Sequence, residues 1–567
     1  MTAILLALVF ADVFAPDCPR FTLPTASSAA SAIASLRSQE DMNMVDIVLI
    51  NPRFEMSYWG MEHALHLCAK LGKRANMPVS ALPLLAALTP AEHKITLIDE
   101  NVEDIDFALC AKADIVGVTG MTVQRFRTTE ILKELKGRGC FTVVGGPWVS
   151  VQEDYFGALA DVIFVGEAEE TWPQFLADWA ERKHASRYEQ AERTDMSKVP
   201  PPRYDLLKMN QYVITPVQFS RGCPFTCEFC DIIVTFGRRP RLKTIPQIIA
   251  ELEAIRRLGG VGGVFIVDDN LIGNKKAIKH ILREVIAWQK AHDYPVAFFA
   301  EASLDLADDE ELMGLMDEAN IRYVFVGVET PNEESLRETS KLQNLRGKER
   351  SIVEKVHAIQ AHGLEVWSGM IVGFDHDGLD IFDRQVRFVE QARVIHTSVG
   401  MLTAIPKTPL YARLAGENRL DPADRTPYGT NVIPLGMDRD ALREGYLRVL
   451  HALYDPKAYF ARVDSLFLEG GLKTGAARNA HLRSRPFSRF IQYAEAMLYV
   501  GFIFFKLQTA VEAADLRRHY RRAFFNVVRR RPEPFVLQAY ALKAVLHYHY
   551  HKLIAAIDAD GHLLNIF

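Results

Sequence analysis

The sequence is poor in cysteine, and beyond Cys230 it has none. Seven cysteines are spread over 567 residues. Cys18, Cys68, Cys110 and Cys140 stand apart and form no CxxC pair. An odd total with one cluster argues against a disulfide framework and for a reducing, cytoplasmic compartment. Basic charge is not in excess either: the formal net charge of −5 gives no overall argument for nucleic-acid binding. The apolar run AMLYVGFIFF (496–505) is ten residues, too short to span a bilayer. MTAILLALVFA at the start lacks a basic leader, its first positive side chain being Arg20. With the low-complexity tract TASSAASAIAS that follows, residues 1–43 read as a disordered extension, or an upstream-start artefact before Met44. A cleaved signal is the alternative.

What is present falls into two α/β series and a helical remainder, since the length exceeds that of a single core. VDIVLINP (45–52), KITLIDEN (94–101), ADIVGVTGM (113–121), FTVVGGP (141–147) and DVIFVGE (161–167) are continuous apolar runs between helical stretches. Such runs mark a parallel sheet covered on both faces, with ligands expected at the carboxyl ends of the strands. The pattern predicts a flavodoxin-like (Rossmann-type) domain over 44–180, and the polar, proline-bearing segment 181–212 reads as a linker. A second series follows over 213–410, with strands in VITPVQFSRG, GGVFIVDDN, VAFFAEASL, YVFVGVET, EVWSGMIVGF and SVGMLTAIP. Six βα units are two short of a closed (β/α)8 barrel, so a partial (β/α)6 barrel is expected. Residues 411–567 read as α-helical.

RGCPFTCEFC (221–230) places Cys223, Cys227 and Cys230 in the loop after the first strand of the second series. A structural zinc site needs a fourth ligand, and the nearest downstream histidine is His280, in a predicted helix. A [4Fe–4S] cluster on three cysteines leaves one iron free to bind a small molecule and pass it an electron. Cx3CxΦC with the aromatic Phe229 before the last cysteine resembles the radical SAM superfamily, whose members cleave S-adenosyl-L-methionine (SAM) reductively. The resemblance implies that Gly369, Ile371 and Gly373 of GMIVG receive the adenine. It also implies that Glu301 and Glu329, ending their strands, hold the ribose or amino group. Asp268 and Asp269 end their strand where other members carry a GGE-like motif, which is missing here, and Asp268 is assigned to the amino group by position.

A flavodoxin-like domain ahead of such a barrel resembles the cobalamin-binding class of the superfamily. On that resemblance the cobalamin-binding residues are Thr119, Met121, Thr122, Gln124, Gly145, Gly146, Gly166 and Glu167. The histidine-supplying DxHxxG motif is absent, so the implied cobalamin (methylcobalamin in the working cycle) has no histidine below its metal. PKTPLYARL, TNVIPLGM, GYLRVLHALYDPKAYFARV and FGRRPRLKT resemble one bacterial subgroup, whose best-known class is the hopanoid C-2 methylase.

These resemblances imply a class B-type radical SAM methyltransferase acting on an unactivated carbon, of a hopanoid or related lipid. A reductase, flavodoxin or ferredoxin would supply electrons, and no nucleic acid is expected. A radical cyclase or rearrangement enzyme of tetrapyrrole biosynthesis shares the domain plan, and a cobalamin sensor with a degenerate barrel is a third reading. The basic and aromatic residues of 496–535 are read either as a buried helix with a solvated face, or as peripheral contact with the inner face of the membrane. His547 and His551 share a helical face but lack a third ligand, so packed or solvated histidines are expected.

Overall fold

The computed structural model describes residues 44–68, 72–259, 263–347 and 349–560. The expected extension 1–43 lies outside the described residues. The first sheet is parallel, in the order β2-β1-β3-β4-β5-β6. Its strands are β1 (Asp46–Asn51), β2 (Lys94–Asp99), β3 (Ile115–Thr119), β4 (Thr142–Gly145), β5 (Val162–Val165) and β6 (Arg187–Glu189). The order reverses at β1/β3, the switch point at which a flavodoxin-like crevice opens. Ile47, Val48, Ile50, Ile115 and Val116 are fully buried, as strands covered on both faces require.

β6 falls inside the segment expected to be a linker, and it corrects that reading. Tyr188 is buried between two exposed neighbours, stacks on Phe164 at 5.4 Å and donates a 2.7 Å hydrogen bond to Asp178. The chain after it is strapped down: Tyr204 donates to the Pro216 carbonyl and Tyr212 to Asp99, each at 2.7 Å. A three-residue edge strand with one apolar residue has too short a period to read from sequence.

The second sheet is also parallel and six-stranded, in the order β14-β13-β12-β11-β10-β7. Its strands are β7 (Thr215–Val217), β10 (Gly263–Ile266), β11 (Ala297–Ala302), β12 (Ile321–Glu329), β13 (Glu365–Val372) and β14 (Thr397–Met401). β8 (Ser220–Arg221) and β9 (Arg241–Leu242) form a small antiparallel ribbon beside it. The main sheet is the open partial barrel the sequence predicts. Along β10 to β12, Val264, Ile266, Phe298, Ala300, Val324 and Val326 are buried under helices. The intervening residues face the barrel interior, as the two-residue period of a strand dictates.

Helices Arg439–Tyr454, Pro456–Asp464, Pro486–Thr509, Ala514–Arg530 and Pro534–Ala559 make up most of the remainder. The last is apolar nearly all round and correspondingly buried. Its Lys543 ion-pairs with Glu365 at the start of β13, with both side chains almost inaccessible.

Candidate active site

The cysteine loop is closed at its base by the β8/β9 ribbon. Gly222 has φ +96°, and a Cβ there would lie 2.9 Å from the Arg239 carbonyl, so only glycine fits. The Cys223 amide donates to Gly237 O at 3.2 Å and the Cys230 amide to Cys227 O at 3.1 Å. All three thiols are unbonded. Gln343 Nε2 lies 3.3 Å from Cys227 Sγ, and Asn270 Nδ2 lies 3.9 Å from Cys223 Sγ. Burial pushes the thiols of Cys223 and Cys230 up. They become thiolates when a cationic centre stabilises the charge. Among the described residues no three His, Cys, Asp or Glu side chains meet as a site for a single ion. Three soft donors on one loop, two of them facing amide N–H groups, fit a [4Fe–4S] cluster.

Glu228, between the cysteines, is gripped from two directions. Its amide donates to Thr339 O at 2.9 Å, and its carbonyl accepts from the Leu410 amide at 3.1 Å. Its carboxylate receives Arg413 Nε at 2.7 Å, and the same guanidinium reaches Asp375 at 2.7 Å and Glu338 at 3.0 Å. Arg413 lies within PKTPLYARL, and nothing in that stretch of sequence marks its role.

The expected SAM residues divide by strand parity. Phe229 and Ile371 line the cavity between the two sheets. Asp268 points the other way: it accepts from the Phe219 amide at 2.7 Å and Ser220 Oγ at 2.6 Å, and is 1% exposed. The carboxylate on the interior face is Asp269, which borders the cavity and accepts from the Gly222 amide at 2.6 Å. Glu301 shares that interior face, and no donor among the described residues reaches its carboxylate. Burial, with repulsion from Asp269 and Asp268, pushes it up to about 8.

Glu329 ends β12 at φ +66°, beside a register slip at Gly327/Glu329, and ion-pairs with Lys341. Left-handed backbone at a non-glycine is strain of the kind found at ligand sites. At Gly369 a Cβ would come within 3.0 Å of the Phe325 ring. Gly373 has φ +97° and donates its amide to Asp377 at 3.0 Å.

The C-terminal edges of the two sheets face one cavity of about 820 Å³. From the first sheet Thr119, Met121, Thr122, Gly145, Gly146, Gly166 and Glu167 line it. Gly146 has φ +103°, and a Cβ there would fall 2.6 Å from Thr119 Oγ1. From the barrel side come Gln218, Arg221, Phe229, Asp231, Asp269 and Ile371. The leucines of helix Ala81–Leu88 give the crevice an apolar wall. The crevice fits a large ligand with an apolar face whose tail enters the sheet, as cobalamin would.

Two expected residues have other partners. Gln124 is 1% exposed and caps its own loop, accepting from the Met121 amide at 2.9 Å and donating to Asn51 at 3.0 Å. Glu167 borders the cavity, but its carboxylate is held by Arg221 at 2.6 Å and Arg241 at 3.0 Å. Sequence reasoning missed both arginines, although Arg221 precedes the cysteine motif by two residues and Arg241 lies in FGRRPRLKT.

Residues 217–388 match the Radical SAM superfamily, and residues 408–560 match a domain of unknown function, DUF4070. The chain is 42% identical over 429 residues to an uncharacterized methyltransferase of Synechocystis sp., covering 75% of this chain and 79% of the relative. It is 34% identical over 422 residues to the hopanoid C-2 methylase of Rhodopseudomonas palustris, covering 74% and 78%. Among solved structures, the radical SAM methyltransferase TsrM of Kitasatospora setae, with cobalamin and a [4Fe-4S] cluster bound, superposes with TM-score 0.56. Its identity to this chain is 15%, over 74% of this chain and 90% of TsrM. The cobalamin-dependent radical enzyme OxsB gives TM-score 0.55 at 14% identity, over 92% and 82%. The two solved structures share the fold, and the two close relatives fix the lineage: the chain belongs to the radical SAM superfamily, in the methyltransferase branch that includes hopanoid C-2 methylase.

Proposed function

We propose that this protein is a cobalamin-dependent radical SAM enzyme that methylates an unactivated carbon of an apolar polycyclic lipid, with C-2 of a hopanoid as the acceptor. The observation that carries the reading is the single cavity onto which both the cysteine loop and the flavodoxin-like crevice open. When bound, the cluster with SAM supplies a carbon-centred radical and cobalamin supplies the methyl group. An unactivated carbon has no acidic proton for a side-chain base, which is why radical chemistry is needed.

The chain's own residues bind and orient. Cys223, Cys227 and Cys230 would hold the cluster, which would bind SAM and supply the electron that cleaves it. Phe229 and Ile371 flank the adenine, while Glu301 and Glu329 accept hydrogen bonds from the ribose and amino groups. Asp269, rather than Asp268, is the carboxylate after β10 that shares the interior face with them. Thr119, Met121, Thr122, Gly145, Gly146 and Gly166 line the corrin site, and that loop offers no histidine to the metal. The test is turnover of methyl-labelled SAM by the reconstituted enzyme with a hopene acceptor. Label in the lipid together with 5′-deoxyadenosine is expected; 5′-deoxyadenosine without labelled lipid would overturn the acceptor assignment.

The C-terminal region supports peripheral attachment to the inner face of the membrane. The apolar run expected to be ten residues lies within a 24-residue helix, Pro486–Thr509, long and apolar enough by length and composition to cross a membrane. Only 22% of its most apolar window is buried. One face packs through Val500, Ile503 and Leu507, and Tyr499 donates to Cys68 O at 2.7 Å. The opposite side exposes Phe487, Phe490, Leu498 and Phe505. Arg485, Arg489, Arg521 and Arg522 are exposed nearby in the chain. A helix docked on one side, with aromatics and arginines outward, suits in-plane binding to an anionic surface. At the cluster loop, exposed Arg238 and Arg239 suit an acidic flavodoxin- or ferredoxin-type donor.

A further inference from the structure

Below the strand-end carboxylates the barrel interior is lined by aromatic rings. Phe265 of β10, Phe299 of β11, Tyr323 and Phe325 of β12, and Trp367 of β13 all point inward. Phe265 stacks on Phe299 at 4.8 Å, and Phe299 lies 5.2 Å from Trp367. Between them projects a side chain from the other sheet: Trp59, on the loop after β1. Its ring is 5.1 Å from Phe325, 6.3 Å from Trp367 and 6.5 Å from Phe299.

The Trp59 loop is fixed from below. Tyr58 stacks on Tyr550 at 4.6 Å and meets the Tyr454 hydroxyl at 3.4 Å, and Asn76 donates to the Trp59 carbonyl at 3.2 Å. Beneath the rings the Glu365–Lys543 pair closes the barrel, with the ammonium 5.3 Å from the Trp367 ring. Trp59, Phe265, Phe299, Tyr323 and Phe325 are nevertheless only partly buried, whereas Val264, Ile266, Phe298, Ala300, Val324 and Val326, which alternate with the strand rings, are fully covered. Phe299 precedes Glu301 by two residues, and Trp367 precedes Gly369 by two. One side-chain layer, roughly 7 Å along a strand, therefore separates the rings from the proposed SAM-binding ends.

We propose that this aromatic layer is the floor of the acceptor site, and that Trp59 sets its depth and so the size of the polycycle admitted. The inference rests on the methyltransferase reading and names a specificity residue for it. A floor of ring faces offers dispersion and apolar area with few hydrogen-bonding groups. That chemistry selects a flat, rigid hydrocarbon skeleton over a charged or hydroxyl-rich acceptor. Because Trp59 comes from the flavodoxin-like domain, the domain that would bring the methyl group also shapes the acceptor's seat.

The test uses full-length reconstituted holoenzyme as wild type, Trp59→Phe and Trp59→Ala. Hopene is titrated in detergent while intrinsic fluorescence is followed, and kcat/KM is measured for hopene and for a bulkier pentacyclic triterpenoid. Iron content, cobalamin absorbance and circular dichroism serve as the check that each variant is folded and loaded. We expect hopene to quench wild-type emission and most of that quenching to vanish in Trp59→Phe. Trp59→Ala should shift the hopene-to-bulky kcat/KM ratio by about tenfold or more toward the bulky substrate. Equal quenching in wild type and Trp59→Phe, or no quenching at all, overturns the floor assignment. Trp59-dependent quenching without label transfer to hopene upholds the floor and overturns the methyl-transfer reading instead.

Discussion

Arg221, two residues before Cys223, is anchored on the opposite sheet by Glu167: the guanidinium Nη1 is 2.6 Å from Glu167 Oε1. The two side chains are 8% and 1% exposed. Glu169 meets the same guanidinium at 2.8 Å, and Arg241 joins from the far side of the cysteine loop. Both sheets thus share one buried charge network at the rim of the cavity. The cluster loop and the flavodoxin-like crevice cannot shift independently without breaking it.

Removing Glu167 leaves two arginines facing each other without their shared carboxylate. Breaking a buried pair from one side costs about 3–5 kcal/mol, far more than a surface bridge is worth. Glu167→Ala should lower the unfolding free energy by that order and loosen cobalamin and cluster together. Glu167→Ala combined with Arg221→Ala should cost less than the sum of the single changes. Denaturant melts of the two singles and the double measure this, and strict additivity would show that the network does not couple the sheets.

Much of this was legible in the sequence because the strands are short apolar runs with their chemistry at the carboxyl ends. The partial barrel, the crevice and the position of the cysteine loop all follow from that pattern. What the pattern could not settle was which of two adjacent acids faces inward. Asp268 and Asp269 differ only in strand parity, which becomes certain once Phe265 and Val267 are seen on the interior side. Glu167 has the position of a ligand residue, but its charge is taken by arginines 54 and 74 residues away. Trp59 was invisible for a related reason: no local period marks a loop side chain that fills another domain's core.

Arg413 is a positioning residue for the cluster loop. One guanidinium serves Glu228, Asp375 and Glu338, and no ammonium matches that planar fork. Arg413→Met leaves these carboxylates repelling one another behind the Cys227–Cys230 segment. Iron per chain and the reduced-cluster EPR signal should fall, Arg413→Lys should recover only part, and cobalamin absorbance should be retained. Full iron loading in Arg413→Met would end the idea.

For the exposed face of helix Pro486–Thr509, the prediction separates apolar from electrostatic attachment. Phe490→Ser with Leu498→Ser should reduce co-sedimentation with phosphatidylglycerol vesicles while leaving turnover of detergent-dispersed acceptor unchanged. Both residues are more than two-thirds exposed, at 70% and 75%, so the fold should tolerate the change. Raising salt should weaken wild-type binding through the arginines. Undiminished sedimentation of the double variant would remove this helix from the membrane contact.

The protonation of Glu301 sets the stability of the folded chain against the SAM contact proposed for it. Its carboxyl is pushed from an ordinary value of 4.5 up to about 8 by burial and by Asp269 and Asp268. Between those values the folded ligand-free chain holds a proton that the unfolded chain has released, so unfolding is increasingly favoured as pH rises. The stabilisation is whole below about pH 4.5 and is lost by about pH 8. Asp268 and Asp269, pushed up to about 7 and about 6, add to the same trend. Glu301→Gln keeps the shape without the charge. It should therefore match wild type near pH 5 and exceed it at pH 8, by on the order of 2 kcal/mol once the side chain's partial exposure is allowed for. In the proposed SAM site the same change removes the charge and turns one acceptor oxygen into an NH2 donor, so SAM binding should weaken about tenfold or more, the worth of a charge-assisted hydrogen bond. Thermal melts at both pH values and SAM binding by equilibrium dialysis test the two halves separately. A variant no more stable than wild type at pH 8 would show that Glu301 is already solvated in the empty site.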